Sequence, residues 1–358
     1  MEERARPSLM KAKSSKLGII VRSDLGSGLQ SQTYNLTRML KPDRILHINS
    51  KPFNGREQHT EMYDGFNGFS SLGFPDNQTV RRFITGLTHI VTAETFYSYE
   101  MIKLANANNI KTFNQVNYEF CDHLRQPLPF PYLWLMPSYW KLEEMTAKFE
   151  NVKYLPPPIF TNDFKKARET NFERSGSRRF VHIVGKQAEH DRNGTEDLLR
   201  ALEFCQSDFE LVIRSQYDLP YEINDRRITF DIGNKADQNE LYEDFDLLIM
   251  PRRYGGLCLP MNEALASGLP VVMSDISPNN RILPEEWLAQ ARVKMKFMTR
   301  TMIDCHMSDL QDLARRIDQF ATMSDEALSA AKARAFEIAF DEFEADNLRE
   351  RYREALEL

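Results

Sequence analysis

Residues 245–275 read FDLLIMPRRYGGLCLPMNEALASGLPVVMSD. The apolar run Leu247–Met250 is expected to form a strand, and it leads into a loop with adjacent glycines, Gly255 and Gly256. A short helix is expected next, with Glu263 in its opening turn and Gly268 at its end, followed by a second strand over Val271–Met273. Strand, loop, helix and strand in this order suit a parallel sheet that takes a ligand at the C-terminal edge of its strands. The N–H groups of the loop and of the helix N-terminus favour an anionic group such as phosphate. Glu263, an acceptor only when ionised, suits ribose hydroxyls.

The stretch resembles the donor-site motif of nucleotide-sugar glycosyltransferases with the two-domain GT-B fold. It is most similar to the large retaining group, the glycosyl transferases group 1, whose pattern is E-G-F-G-L-P-x-x-E-A-x-A-x-G-x-P-V-V. This chain reads G-G-L-C-L-P-M-N-E-A-L-A-S-G-L-P-V-V. Gly256, Leu259, Pro260, Glu263, Ala264, Ala266, Gly268, Pro270, Val271 and Val272 keep the pattern. Gly255 stands where the family has its first glutamate, and Cys258 where it has its second glycine. The resemblance implies that the missing glutamate would have helped to hold the transferred sugar, so Gly255 bears on the donor's identity. The plainer reading is a generic Rossmann-like turn with a core helix, but turn chemistry alone seldom gives so long an ordered pattern.

A length of 358 residues suggests two domains. An apolar fraction of 42% can fill ordinary cores, and no apolar run reaches membrane-spanning length. Neither a secretory segment nor an integral membrane anchor is expected. Cys121, Cys205, Cys258 and Cys305 lie far apart without C-x-x-C spacing, which fits reduced thiols better than a disulfide frame or a zinc site. A cytoplasmic protein is expected, in the host cytoplasm if the chain is phage-encoded. The formal net charge of −6 supplies no overall attraction to nucleic acid. Residues 1–16, with Arg4, Arg6, Lys11, Lys13 and Lys16, read as a flexible basic arm, either a solvated end or a contact to nucleic acid or another anionic surface.

Apolar runs alternate with helical patterns almost throughout, which indicates an α/β fold. Strands are expected at Leu17–Val21, Arg44–Ile48, His89–Thr92, Lys111–Val116, Leu133–Met136 and Val152–Leu155. Pro156-Pro157-Pro158 can continue neither ladder nor helix and marks a linker. A second series follows at Phe180–Val184, Glu210–Ile213, Ile228–Phe230, Leu247–Met250 and Val271–Met273. The resulting division is an N-terminal Rossmann-like acceptor domain over 17–157 and a C-terminal Rossmann-like donor domain over 158–335. The resemblance implies that the last helix, 336–358, crosses the cleft back to the first domain. Phe336, Phe340 and Phe343 share one face of that helical pattern and are read as packing.

Three further segments carry candidate chemistry. Gly185, Lys186 and Arg192 follow the strand that opens the second domain, and their order resembles the family's pair of cations on the donor diphosphate. Such cations would neutralise charge building on the leaving nucleotide. His190, between them, is read as solvated. Gly26-Ser27-Gly28 follows the first strand and is a two-glycine loop that does not complete G-x-G-x-x-G. The resemblance places such a loop over the donor phosphates, with Gly28 as the chosen residue. Glu94 follows a third strand end, and Asn117 and Glu119 follow a fourth, in a segment similar to one that bears a catalytic-site histidine or polar residue in relatives. A carboxylate there could orient an acceptor hydroxyl or support an oxocarbenium-like sugar, or it could be a loop carboxylate or helix cap. Base recognition is expected near Arg214 and Asp231.

The sequence is therefore read as a GT-B glycosyltransferase without metal or cofactor. It would move a sugar from a nucleotide diphosphate sugar, with a UDP-sugar as the expected donor, to an acceptor hydroxyl with retention. Glu119, Asn117, Lys186 and Arg192 are the catalytic candidates. Gly28, Gly185, Lys186, Arg192, Gly256, Leu257 and Glu263 are the donor-binding candidates. The acceptor is left open among a glycan, a small molecule, modified DNA and a protein. Two alternatives stand beside this reading. One is a phage-type enzyme acting on hydroxymethylated DNA bases or a virion protein. The other is a non-catalytic nucleotide-binding relative that lost its sugar-holding glutamate.

Overall fold

A computed structural model of the chain describes residues 15–358, apart from 125–126, 186–189, 222–223 and 236. Seven parallel strands form the first sheet: β1 (Leu17–Arg22), β2 (Arg44–Asn49), β3 (Gly68–Leu72), β4 (His89–Glu94), β5 (Lys111–Val116), β6 (Leu133–Met136) and β7 (Val152–Tyr154). Their order across the sheet is β3-β2-β1-β4-β5-β6-β7. Six strands form the second: β8 (Arg179–Gly185), β9 (Glu210–Ser215), β10 (Ile228–Ile232), β11 (Leu247–Met250), β12 (Val271–Ser274) and β13 (Leu288–Ala289). Their order is β10-β9-β8-β11-β12-β13, again all parallel. Helices cover both faces, so central strands such as β11 and β12 are buried along their whole length. That double burial is why these segments read as continuous apolar runs instead of alternating ones.

β3 and β13 escape the sequence reading for a physical reason. β3 is an edge strand of sequence GFSSL with a largely exposed backbone, and β13 is two residues long. An antiparallel hairpin, β14 (Ala291–Met298) and β15 (Met302–Ser308), is also unforeseen. Its outer strand, ARVKMKFM, is exposed nearly throughout and has no apolar face for a pattern to report.

The chain passes between the domains twice, and the two passages lie side by side. Ile159 N–H donates to the Phe343 carbonyl at 2.7 Å, and Ala345 N–H donates to the Ile159 carbonyl at 2.9 Å. The helix Asp325–Phe343 packs on the second sheet through Leu328, Ala335, Ala339 and Phe343. The expected phenylalanine stripe is thus corrected: Phe343 is buried, Phe340 is 44% exposed, and Phe336 instead stacks under the Arg168 guanidinium. The final helix, Ala345–Leu356, buries Leu348, Tyr352 and Leu356 against Leu17, Ile19, Val21 and Leu36 of the first domain. Tyr352 anchors it, donating to the Pro156 carbonyl at 2.9 Å and accepting from Gln115 at 2.7 Å.

Candidate functional site

Both sheets reverse their strand order once, between β1 and β4 in the first and between β8 and β11 in the second. Open parallel sheets bind ligands in the crevice beyond the strand ends at such a switch point. Buried charged residues lie on the loops leaving β1 (Asp24) and β11 (Arg252 and Arg253) and on the loop after β5 (Glu119).

Across that cleft Arg192, after β8, meets Glu119, after β5. Arg192 Nη2 donates to Glu119 Oε1 at 2.6 Å, and the guanidinium lies 5.1 Å from the centroid of Tyr254. Glu119 is 4% exposed, and its buried Oε2 has no partner among the described residues. Arg192 Nε and Asn117 Oδ1 are likewise buried and unpartnered. Such orphaned atoms are uncommon in folded proteins and mark places where a ligand or water completes the bonding. Glu94, at the end of β4, has φ +66°, and burial holds its carboxyl above the usual range. Arg22, at the end of β1, pairs with Asp24. Glu94 is near enough to Arg22, Glu119 and Arg192 to feel their charges, so it shares one cluster with them. The hairpin tip closes over the same segment, since Thr299 Oγ1 donates to the Glu119 carbonyl at 2.9 Å and Arg300 pairs with Asp122.

Glu263 lies one turn into the helix Leu259–Ala266, not in its opening turn. Both carboxylate oxygens are engaged. Gln238 Nε2 donates to Oε1 at 2.6 Å and Tyr242 hydroxyl donates to Oε2 at 2.6 Å. Burial nevertheless outweighs these bonds and pushes the carboxyl up to about 7. The expectation of a fully ionised acceptor at neutral pH is corrected accordingly: Glu263 divides between its two forms there.

The loop after β11 brings two arginines that the sequence reading passed over. Arg252 and Arg253 are each 4% exposed. Arg253 clamps the domain, donating to the carbonyls of His306 at 3.2 Å and His190 at 3.3 Å and pairing with Asp197 at 3.3 Å. Arg252 donates to the carbonyls of Tyr254 at 3.0 Å and Leu257 at 2.6 Å. Two basic residues in a loop read as solvated cations; only tertiary burial reveals the difference. Gly255 has φ +100°, and a Cβ there would stand 2.8 Å from Arg252 Nη2 and 3.2 Å from both Nε and Nη2 of Arg192. At Gly256 a Cβ would stand 2.8 Å from Ser138 Oγ and 3.1 Å from Trp140, both in the first domain. Gly256 is thus a point of contact between domains, and Leu257 supplies its carbonyl to Arg252.

The other candidates fall as follows. Gly28 opens the helix Gly28–Leu40, capped by Ser27, and faces Leu259 of the second domain. Gly26 makes the closer crossing contact, with its carbonyl accepting from Gln216 Nε2 at 3.1 Å. Gly185 ends β8 with φ +63°, and its carbonyl accepts from Gln216 N–H at 3.0 Å. Arg214 and Asp231 are tied to one another at 3.2 Å, and Lys235 joins Asp231 at 2.8 Å. His190 is not solvated but lies edge-on to Phe297, with ring centroids 4.3 Å apart. Lys186 lies outside the described residues, as do residues 1–14 of the basic arm. Among the described residues no group of His, Cys, Asp and Glu is arranged to hold a metal ion, and no helix is long and apolar enough to cross a membrane.

This geometry can be set beside known proteins. Residues 178–319 match the family model of the Glycosyl transferases group 1. No curated protein matches the chain. Among solved structures, Anabaena HepE in complex with UDP-glucose is similar over 96% of this chain and 99% of its own, with a TM-score of 0.65 and 13% identity. Sucrose-phosphate synthase from Thermosynechococcus elongatus is similar over 95% and 98%, with a TM-score of 0.65 and 13% identity. A glycosyltransferase from Rickettsia africae is similar over 96% and 98%, with a TM-score of 0.65 and 12% identity. At such identities the likeness is one of fold. The chain accordingly has the two-domain GT-B fold, and within it residues 178–319 are similar to a glycosyl transferases group 1 domain.

Proposed function

We propose that the chain is a glycosyltransferase that moves a sugar from a UDP-sugar to an acceptor hydroxyl in the cleft between its domains. The observation that carries this reading is the meeting of Arg192, after β8 at the second sheet's switch point, with Glu119, after β5 of the first sheet, with unpartnered polar atoms on each side among the described residues. The Anabaena relative held with UDP-glucose supports the choice of nucleotide.

In this reading Glu263 takes the ribose hydroxyls. Arg192, with Lys186, offsets the charge that builds on the diphosphate as the bond to the sugar breaks. These cations and the loop N–H groups serve that purpose without a metal ion. Asn117 and Glu119 face the acceptor and orient it, so that the proton of the reacting hydroxyl points at the donor phosphate. The acceptor oxygen then bonds to the anomeric carbon, the anomeric carbon to phosphate bond breaks, and the hydroxyl proton passes to the leaving phosphate. Attack and departure on one face give retention.

A thermal-shift panel of UDP, GDP, ADP and their sugars tests this on wild type and Glu263→Ala. Stabilisation by the UDP ligands, diminished in the variant, is expected, since a ligand held by the folded state alone raises its stability. Lack of stabilisation by every nucleotide at millimolar concentration refutes it. Product anomers identified by NMR test retention, and UDP binding without transfer to any acceptor would assign a binding protein instead.

A further inference from the structure

Among the described residues, the charge around Gly255 does not balance. Arg252 is a buried guanidinium, and among the described residues no carboxylate lies within ion-pairing distance of it. Its two hydrogen bonds go to neutral carbonyls, which orient the group without offsetting its charge. A buried cation left in that state is costly unless an anion arrives to pair with it. Arg192, beside it, keeps an unpartnered Nε, and Glu119 is the one described carboxylate paired with it. The two cations therefore share Glu119, and the other carboxyl near Arg192, that of Glu94, is held towards its neutral form by burial. Both guanidinium groups converge on the space above Gly255, where a side chain would otherwise project.

The position of that space decides which part of a donor it meets. The next residue, Gly256, touches Ser138 and Trp140 of the first domain, and Arg192 touches Glu119 of the first domain. The space thus adjoins the acceptor wall. Glu263, held by Tyr242 and Gln238, belongs wholly to the second domain. In a nucleotide diphosphate sugar the nucleoside lies at one end and the sugar at the other, next to the acceptor. A group over Gly255 is consequently on the transferred sugar.

We propose that Arg252, beside the Arg192 that serves the diphosphate, provides an oxyanion site over Gly255 for a carboxylate on the transferred sugar, so that the donor is a nucleotide-linked uronic acid. This rests on the reading of the cleft as a nucleotide-sugar site. A guanidinium presents paired N–H donors that match a carboxylate, and a neutral hydroxymethyl group in the same place leaves the buried charge unpaired. The surplus cation then serves as a specificity determinant.

Calorimetric titration of wild type, Arg252→Gln and Arg252→Lys is the test. The ligands are UDP, UDP-glucose, UDP-glucuronate, UDP-galactose and UDP-galacturonate. At least one uronate is expected to bind wild type about tenfold more tightly than its neutral counterpart, the scale of one charge-assisted bond. Arg252→Gln should bring that ratio close to one while leaving bare UDP within about threefold, and Arg252→Lys should keep part of the preference. Equal binding of both uronates and their neutral counterparts by wild type overturns the proposal, and that comparison holds even if Arg252→Gln does not fold. An equal loss of UDP and UDP-uronate in Arg252→Gln also overturns it, because the oxyanion would then be phosphate. Failure of bare UDP to bind wild type refutes the nucleotide-sugar reading itself, so the two failures are separable.

Discussion

If Glu263 holds the ribose, nucleotide binding is a proton-linked event whose size follows from the burial of that carboxyl. In the free protein its carboxyl is raised from the ordinary 4.5 to about 7. That rise corresponds to about 3 kcal/mol against ionisation in the folded state. The sign for stability follows directly. Below pH 4.5 the group is protonated in both folded and unfolded chains and its contribution is fully present. As pH rises towards 7 the unfolded chain has already lost the proton, so the folded state loses up to that stability and then levels off. Glu263→Gln should remove this slope between pH 4.5 and 7, and urea midpoints at several pH values measure it.

Binding carries the complementary effect. If ribose hydroxyls donate to Glu263, they favour the ionised carboxylate and expel the proton. Titration of UDP in buffers of different ionisation enthalpy should then report release of about 0.9 proton at pH 6, about half a proton at pH 7 and close to none at pH 8. Affinity should weaken about tenfold for each pH unit below 7. Glu263→Gln should abolish both the proton release and this dependence. Wild-type binding that releases no proton at pH 6, or a variant that keeps the full pH profile, refutes the assignment of Glu263 to the ribose.

Other perturbations separate chemistry from structure. Glu119→Gln should lower turnover by about a hundredfold or more, the scale of a lost acid–base or orienting group, while UDP affinity holds or rises because Arg192 is released; steady-state kinetics with calorimetry decide this. Arg253→Ala leaves Asp197 buried without its cation and should cost about 3–5 kcal/mol in chemical denaturation. Gly256→Ala forces a methyl against Ser138 and Trp140, so the domains must part. Its activity should fall up to about a hundredfold, with a larger radius of gyration in X-ray scattering and an almost unchanged melting temperature.

The fold was legible because a doubly covered parallel sheet writes itself as short apolar runs. β1, β6 and β11 carry such runs; β5, β6 and β11 begin and end as the pattern predicts, and β1 runs one residue further, to Arg22. What was missed is what lacks that burial. β3 sits at an edge, and β14 exposes Val293, Met295 and Met298 between Arg292, Lys294 and Lys296, so neither face shows a period. The phenylalanine spacing of the Asp325–Phe343 helix misled for the converse reason. Its buried face is set by Ala335, Ala339 and Lys332, and Lys332 is inside because it donates to Asp246 at 2.8 Å.

At the site, the sequence could place groups at strand ends but could not say which would become paired. Arg214 and Asp231 are polar residues at the ends of neighbouring strands, and parallel register sets them opposite one another, so they neutralise each other. Glu119 and Arg192 are also polar residues at strand ends, but they belong to different sheets and meet only because the domains face each other. The first kind of pair is complete within one sheet. The second depends on the closure of the cleft and retains unpartnered atoms on both sides. Arg252 extends the same distinction, since its solvated appearance in PRRYGG gives no sign that it is sealed beside Arg192 over a glycine. Charge that stays unsatisfied after a domain has folded is therefore the better guide to this site than residue type, and it concentrates where the two switch points meet.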